Sequence, residues 1–443
     1  MSVPARMLRL LHSRICLAAL AALTLLAPPS AGGYSVLTHE QVVDLVWKDQ
    51  LLPMLRQRFP QATDDDLRKA HAYAYGGSVL QDMGYYPFGS KLFSDLTHYV
   101  RTGDFVANMI QQSSDLNEYA FALGVLAHYV SDNSGHPTIN RVVAIEFPKL
   151  RKKYGESVTY EDNHKTHIRT EFGFDMVQVA KNRYSSDRYH DFIGFEISKP
   201  LLERAFLKTY GLKVTDVMGD EDLAIGTFRR AVSRVIPQMT RVALVARKKE
   251  MVKEEPTFDK KKFLYYLSRT DYQKQWGKGY RRPGPGTQIL AFLLKIVPKI
   301  GPFSALQFKI PSTQTEDMYI KSVDLTVTDY KSSLRSIDSK NVRLDNRDCD
   351  TGKGTAFGEY KLSDTTYTKL LDKLAGQNFA QTSPELSANI LEYYSGAKNQ
   401  FSSEKDRKAW EKTANQLQQL KEHANTVVSE GPVGGLARVI SER

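Results

Sequence analysis

His128, Asp132 and His136 fall four residues apart in AHYVSDNSGHP (127–137), directly after the apolar run FALGVLA. A step of four turns a helix by about 40°, so the three side chains line one stripe of roughly 80°. Imidazole and carboxylate are good ligands for first-row metals, zinc foremost. The stripe continues an apolar face, where unpartnered ionisable groups would be costly. Taken alone, the three residues also fit a polar stripe satisfied by its neighbours. Gly135 and Pro137 point to a helix that ends here, with His136 in its last turn.

Further pieces of the same chemistry lie on either side. His167 and Glu171, again four apart in NHKTHIRTEFGFD, can share one ion or form a surface helix pair; His164 is the alternative to His167 but has no carboxylate four residues on. His98 in LFSDLTHYV, Asp82 in SVLQDMGYYP and His39 in YSVLTHE each adjoin apolar residues and can reach inward. Any one of them alone reads as structural. Together, five of the ten histidines stand next to apolar runs in one half of the chain.

The elements that must position these residues are helical. From Tyr34 to about Arg247, apolar residues recur at three- and four-residue steps, as in HEQVVDLVWKDQLLPMLRQRF, NEYAFALGVLAHYVSD and EDLAIGTFRRAVSRVIPQMTRVALVARK, and no alternating strand run appears. Asp64, Asp65 and Asp66 stand where a helix start favours negative charge. ARKKEMVKEEP (246–256) marks a boundary and KGYRRPGPGTQ a Gly/Pro-rich break. The apolar stretch 289–303, too short to span a bilayer, reads as a core helix or an interfacial segment. Residues 310–378 mix strand-like and helical runs, and Ser403 caps an amphipathic helix. The fold class is mainly α: a multi-helix domain over 34–250 and a mostly helical C-terminal region over 255–443.

Residues 1–33 have the order of a secretory signal peptide: Arg6, Arg9 and Arg14 without acidic residues, then ICLAALAALTLLA, then PPSAGG. A retained signal anchor is the alternative. Cleavage near Gly33 would make Tyr34 the mature N-terminus and implies a secreted or periplasmic protein. Only Cys349 would remain, which rules out an internal disulfide in the mature chain. The net charge of +11 becomes +8 without the leader, 58 basic against 50 acidic residues, which favours peripheral contact with an anionic membrane surface or a polyanionic partner.

As a set, His128-x-x-x-Asp132-x-x-x-His136 with His167-x-x-x-Glu171-Phe-Gly-x-Asp175, Asp82 and the THYVR around His98 resembles the zinc-dependent phospholipase C family, in the superfamily of the S1/P1-type nucleases. The likeness covers roughly residues 34–180, or as far as 250. The short step in the central helix matches the family's glycosylphosphatidylinositol-specific branch, whereas bacterial members have a longer step and begin with Trp where this chain has Tyr34. The resemblance implies up to three Zn2+ ions. One would be held by Asp82, His98, His128 and Asp132, and a second by His136, His167 and Glu171. The third would take His39, Asp132, and the amine and carbonyl of Tyr34.

It also implies hydrolysis of a phosphodiester, most simply in a phospholipid headgroup, with Asp82 as the catalytic carboxylate that orients or deprotonates water. An S1/P1-type nuclease, with nucleic acid as substrate only, is the nearest rival, and Tyr85, Tyr86 and Phe88 are its candidate base-stacking residues. Glu171 favours lipid, since those nucleases carry Asp there. A non-catalytic protein stabilised by its metal is the rival from another class.

Overall fold

In the computed structural model, residues 34–181, 184, 195–232, 236, 308–337, 342–397 and 403–430 are described. The leader, the boundary near residue 250, the Gly/Pro-rich break and the apolar stretch 289–303 lie outside them. Among the described residues there are helices and one isolated β-bridge, Arg347 to Gly354, and no strands. The strand-like runs within 310–378 are corrected to two helices joined by an irregular segment. No described helix is long and apolar enough to cross a membrane.

The centre of the fold is α6 (Leu116–Glu146), reached through α1 (Val36–Val46), α2 (Leu52–Arg58), α3 (Asp64–Ser78), α4 (Lys91–Tyr99) and α5 (Thr102–Gln112). Asp115 caps α6 by accepting a hydrogen bond from the Glu118 amide at 2.8 Å. Nearly every residue from Glu118 to Asp132 is buried, as in a helix surrounded by others. Thr63 and Asp66 form a capping box at the start of α3, with the aspartates of its first turn placed as the sequence predicts.

α3 and α6 touch backbone to backbone. A Cβ on Gly77 would come within 2.1 Å of Phe121 O, and one on Gly124 within 2.1 Å of Ala74 O. Only glycine allows that approach, and it brings the end of α3 to the first third of α6.

The helix does not end at Pro137. It continues to Glu146, which corrects the expectation drawn from Gly135 and Pro137. Pro137 removes the hydrogen bond to Asn133 O. Gly352 lies against that freed carbonyl, where a Cβ would come within 2.6 Å, and burial of Ile139, Val142 and Val143 holds the last turns in place. Gly135 has another cause: a Cβ there would meet the Tyr34 ring at 2.5 Å.

Beyond α6 come α7 (Pro148–Tyr154), α8 (His164–Ala180), α9 (Lys199–Tyr210), α10 (Val214–Val217) and α11 (Glu221–Arg230). The C-terminal part packs onto this frame. α12 (Thr313–Ser336) lies along α6 and α1; its Tyr330 hydroxyl donates to Leu123 O at 2.8 Å, and Tyr319 and Thr38 share a hydroxyl hydrogen bond of 2.6 Å. α13 (Lys361–Gly376) rests on α4, and α14 (Pro384–Ser395) and α15 (Glu404–Glu430) pack with it.

Candidate metal centre

α6 delivers His128, Asp132 and His136, all fully buried. α4 delivers His98, the short 3-10 turn Leu80–Tyr85 delivers Asp82, and α1 delivers His39. Three groups of ligand-capable atoms result: His39, His128 and Asp132; Asp82, His98 and His128; and His136, His167 and Glu171. Within each group the atoms lie within 4.8 Å of one another. The first two groups share His128, and the Asp132 carboxylate also meets His98 of the second.

The spacing inside these groups is informative. His128 Nε2 is 3.2 Å from His98 Nε2 and 3.1 Å from Asp132 Oδ2; His98 Nε2 is 3.3 Å from Asp132 Oδ2 and 3.5 Å from Asp82 Oδ1; His39 Nε2 is 3.5 Å from Asp132 Oδ1. Ligand atoms around a tetrahedral zinc ion with bonds of ~2.0–2.1 Å are roughly 3.3 Å apart. His98 Nδ1 faces Ser94 O at 2.7 Å and His128 Nδ1 faces Ser78 O at 2.9 Å. Each Nδ1 therefore carries a proton that it donates to a carbonyl, and each Nε2 turns toward the other and toward carboxylates. Such a convergence calls for a cation between the groups, a metal ion or, in its absence, a proton on His98.

The third group is ordered from outside. Asn140 donates through Nδ2 to Asp350 O at 2.8 Å, which leaves Oδ1 to accept from His167 Nε2 at 2.7 Å. His167 Nδ1 thus faces Glu171 Oε1, 2.8 Å away, with its lone pair. His136 Nδ1 donates to Cys349 O at 2.6 Å and lies 3.3 Å from Asp350 Oδ1.

Buried atoms without a hydrogen-bond partner include both nitrogens of His39, both oxygens of Asp132, His136 Nε2, Glu171 Oε2 and Asp350 Oδ1. Buried polar groups are normally satisfied, and the ion pairs found here for Asp132, Glu171 and Asp350 are with histidines. The donor set and its unsatisfied atoms fit bound zinc. Protonation responds to the same crowding. Burial pushes the Glu171 carboxyl well above its usual range. For Asp132 burial pushes the same way, yet His128 and His136 beside it hold the carboxyl well below. Burial lowers His39 strongly and brings His167 down to about 4. It acts on His98 in the same sense, but the Asp132 and Asp82 carboxylates carry that imidazole up to about 9.

Tyr34 is buried beside the centre, its ring against Gly135 and 6.1 Å from the His39 ring, its hydroxyl donating to Ser322 Oγ at 2.6 Å. Asp175 is outside the ligand groups: it accepts from the Leu37 amide at 3.1 Å and the Thr38 hydroxyl at 2.6 Å, fixing the segment that carries His39. His164 is half-buried against the Tyr160 ring and joins no group. Of the candidate stacking residues, Tyr86 is core against Phe228, Phe88 is exposed, and Tyr85 lies 6.0 Å from the His98 ring.

Two residues of the site escape the sequence reading. Asn140 continues the four-residue step of His128, Asp132 and His136 by one more turn, and that periodicity could have found it. Asp350 carries no such signal, because it comes from an irregular segment more than 200 residues along the chain.

Comparison with known proteins agrees with this geometry. Residues 38–216 match a family model described as zinc dependent phospholipase C. No match was found among curated proteins or among solved structures.

Proposed function

Starting from a region, residues 38–216, that belongs to the zinc-dependent phospholipase C family, we propose that this chain is an exported phosphodiester hydrolase that cleaves phospholipid headgroup esters. The observation that carries the reading is the sharing of His128 between adjacent ligand groups, with the Asp132 carboxylate of one group also facing His98 of the other. A structural zinc needs only one closed set of four ligands. Adjacent sites that share residues are the arrangement of two-metal phosphoryl chemistry.

Asp82, His98, His128 and Asp132 would hold one ion, His136, His167 and Glu171 a second, and His39 with Asp132 and the Tyr34 backbone a third. Zinc in these positions supplies Lewis acidity toward a phosphoryl oxygen and acidifies a water molecule. The protein's own groups do the rest. Asp82, buried beside His98, orients the attacking water and accepts its proton on a carboxylate oxygen. His98 and His128 are fixed by carbonyls at Nδ1 and cannot turn away. The buried surround keeps bulk water out and strengthens every charge interaction inside.

The test is hydrolysis of phosphatidylcholine and phosphatidylinositol vesicles beside single-stranded DNA, using the mature chain from Tyr34. Release of a phosphorylated headgroup, abolished by chelation and restored by zinc, is expected. Cleavage of DNA without lipid hydrolysis would replace this reading with a nuclease. Turnover of neither would leave a metal-stabilised binding protein.

A further inference from the structure

The segment from residue 342 to Tyr360 lies outside the family-matched region, yet it threads directly behind the metal centre. It is anchored along its length. Tyr129 donates to Asp345 O at 2.7 Å, Thr102 donates to Arg347 O at 2.8 Å, and the Cys349 amide donates to His98 O at 3.0 Å. Asp348 closes the turn by accepting from the amides of Asp350 and Thr351.

Asp350 is 1% exposed, and its two oxygens have different surroundings. Oδ2 accepts from the hydroxyls of Tyr99, at 3.0 Å, and Tyr360. Oδ1 has no hydrogen-bond partner and points to His136 Nδ1 at 3.3 Å, beside the Cys349 carbonyl. Two acceptors facing Nδ1 require the proton there and leave Nε2 bare for an ion. The same turn governs the other imidazole, because Asp350 O fixes the Asn140 amide and that amide fixes His167.

We propose that Asp350 and Asn140 are positioning residues that set the tautomer and orientation of both imidazoles of the His136–His167–Glu171 site. The C-terminal segment is then a working part of the metal centre. This rests on the zinc reading above. Partners of this kind behind a metal-bound histidine typically change metal affinity by about 10–100-fold.

The experiment is zinc competition against a chromophoric chelator, using the full mature chain and its Asp350→Asn, Asp350→Ala and Asn140→Ala variants. His167→Ala identifies the ion that belongs to this site. Asp350→Ala and Asn140→Ala are expected to weaken that same ion by about 10–100-fold while the others keep wild-type affinity. Asp350→Asn, which keeps the shape without the charge, falls between. Tyr360→Phe removes one phenol donor without disturbing the turn and is expected to weaken the same ion by a few-fold, which covers the case of a poorly folding Asp350→Ala.

Wild-type affinity for every ion in the Asp350 and Asn140 variants would overturn the proposal and leave the zinc reading intact. Equal weakening of all ions, together with a lower melting temperature of the metal-free protein, would overturn it in favour of a purely structural role. Absence of zinc from the wild-type chain would remove both.

Discussion

Asp132 is the residue on which His39, His98 and His128 converge, at 3.5, 3.3 and 3.1 Å. Its removal should therefore cost more than one ion, whereas removal of His167 should cost one. Elemental analysis of Asp132→Ala and His167→Ala after dialysis separates the two. Equal losses would contradict the sharing. Asp82→Asn should reduce kcat by about 10²–10⁴-fold with a small change in KM, the usual weight of a general base. Steady-state kinetics on vesicles checks this. Asp175 gives a pH test of the metal-free protein. Burial raises its carboxyl to about 7, against hydrogen bonds from Thr38 and Leu37 that work to lower it. A folded-state pKa above the unfolded value means the native state holds the proton more tightly. Asp175 therefore favours folding most below about pH 4, and that contribution declines as pH rises to about 7, by at most about 4 kcal/mol. Urea unfolding across this range should show the decline, and Asp175→Asn should flatten it. An unchanged slope in the variant would rule this out. Asp132 and His167 were legible because a histidine or carboxylate repeating at helical spacing on an apolar face has few uses, whereas Asp82 was legible only as one of a set. Asn140 has the spacing but is no usual zinc ligand, and Asp350 has neither the spacing nor the neighbourhood.

At the level of elements, the centre depends on how closely α3 and α6 approach. The Gly77–Gly124 crossing places Ser78 O within 2.9 Å of His128 Nδ1. Gly124→Leu should lower stability by roughly 1–3 kcal/mol or more through overpacking. It should also weaken zinc binding, because His128 loses its anchor. Denaturant midpoints and zinc competition on the same preparation measure both effects; a destabilised protein with unchanged zinc affinity would separate the crossing from the site. The helices themselves were readable from their apolar periodicity, and the start of α3 from its aspartates, though not its cap at Thr63. Pro137 was misleading for a physical reason. Local propensity counts its missing hydrogen bond, a cost of about 3 kcal/mol, but cannot count the burial of Ile139, Val142 and Val143 that carries α6 onward. Gly135 likewise reads as a helix end until the Tyr34 ring is placed against it.

On the scale of the whole molecule, two distant parts of the chain close on α6. Tyr34 comes from the start of the described chain and the turn at Asp350 from its last quarter, and both reach the helix within one turn of His136. The family resemblance alone put Tyr34 near the centre, and nothing put Asp350 there, because periodicity reports only what lies within one element. The proposed export gives the Tyr34 end its meaning: a backbone amine can serve as a ligand only once the leader is gone. A chain that retains residues before Tyr34 should lack the ion held with His39 and keep the other two. The most direct measurement is the zinc content of the purified mature chain beginning at Tyr34, by elemental analysis after mild dialysis. Close to three ions per chain is the expected result; one ion or none would contradict the proposed centre.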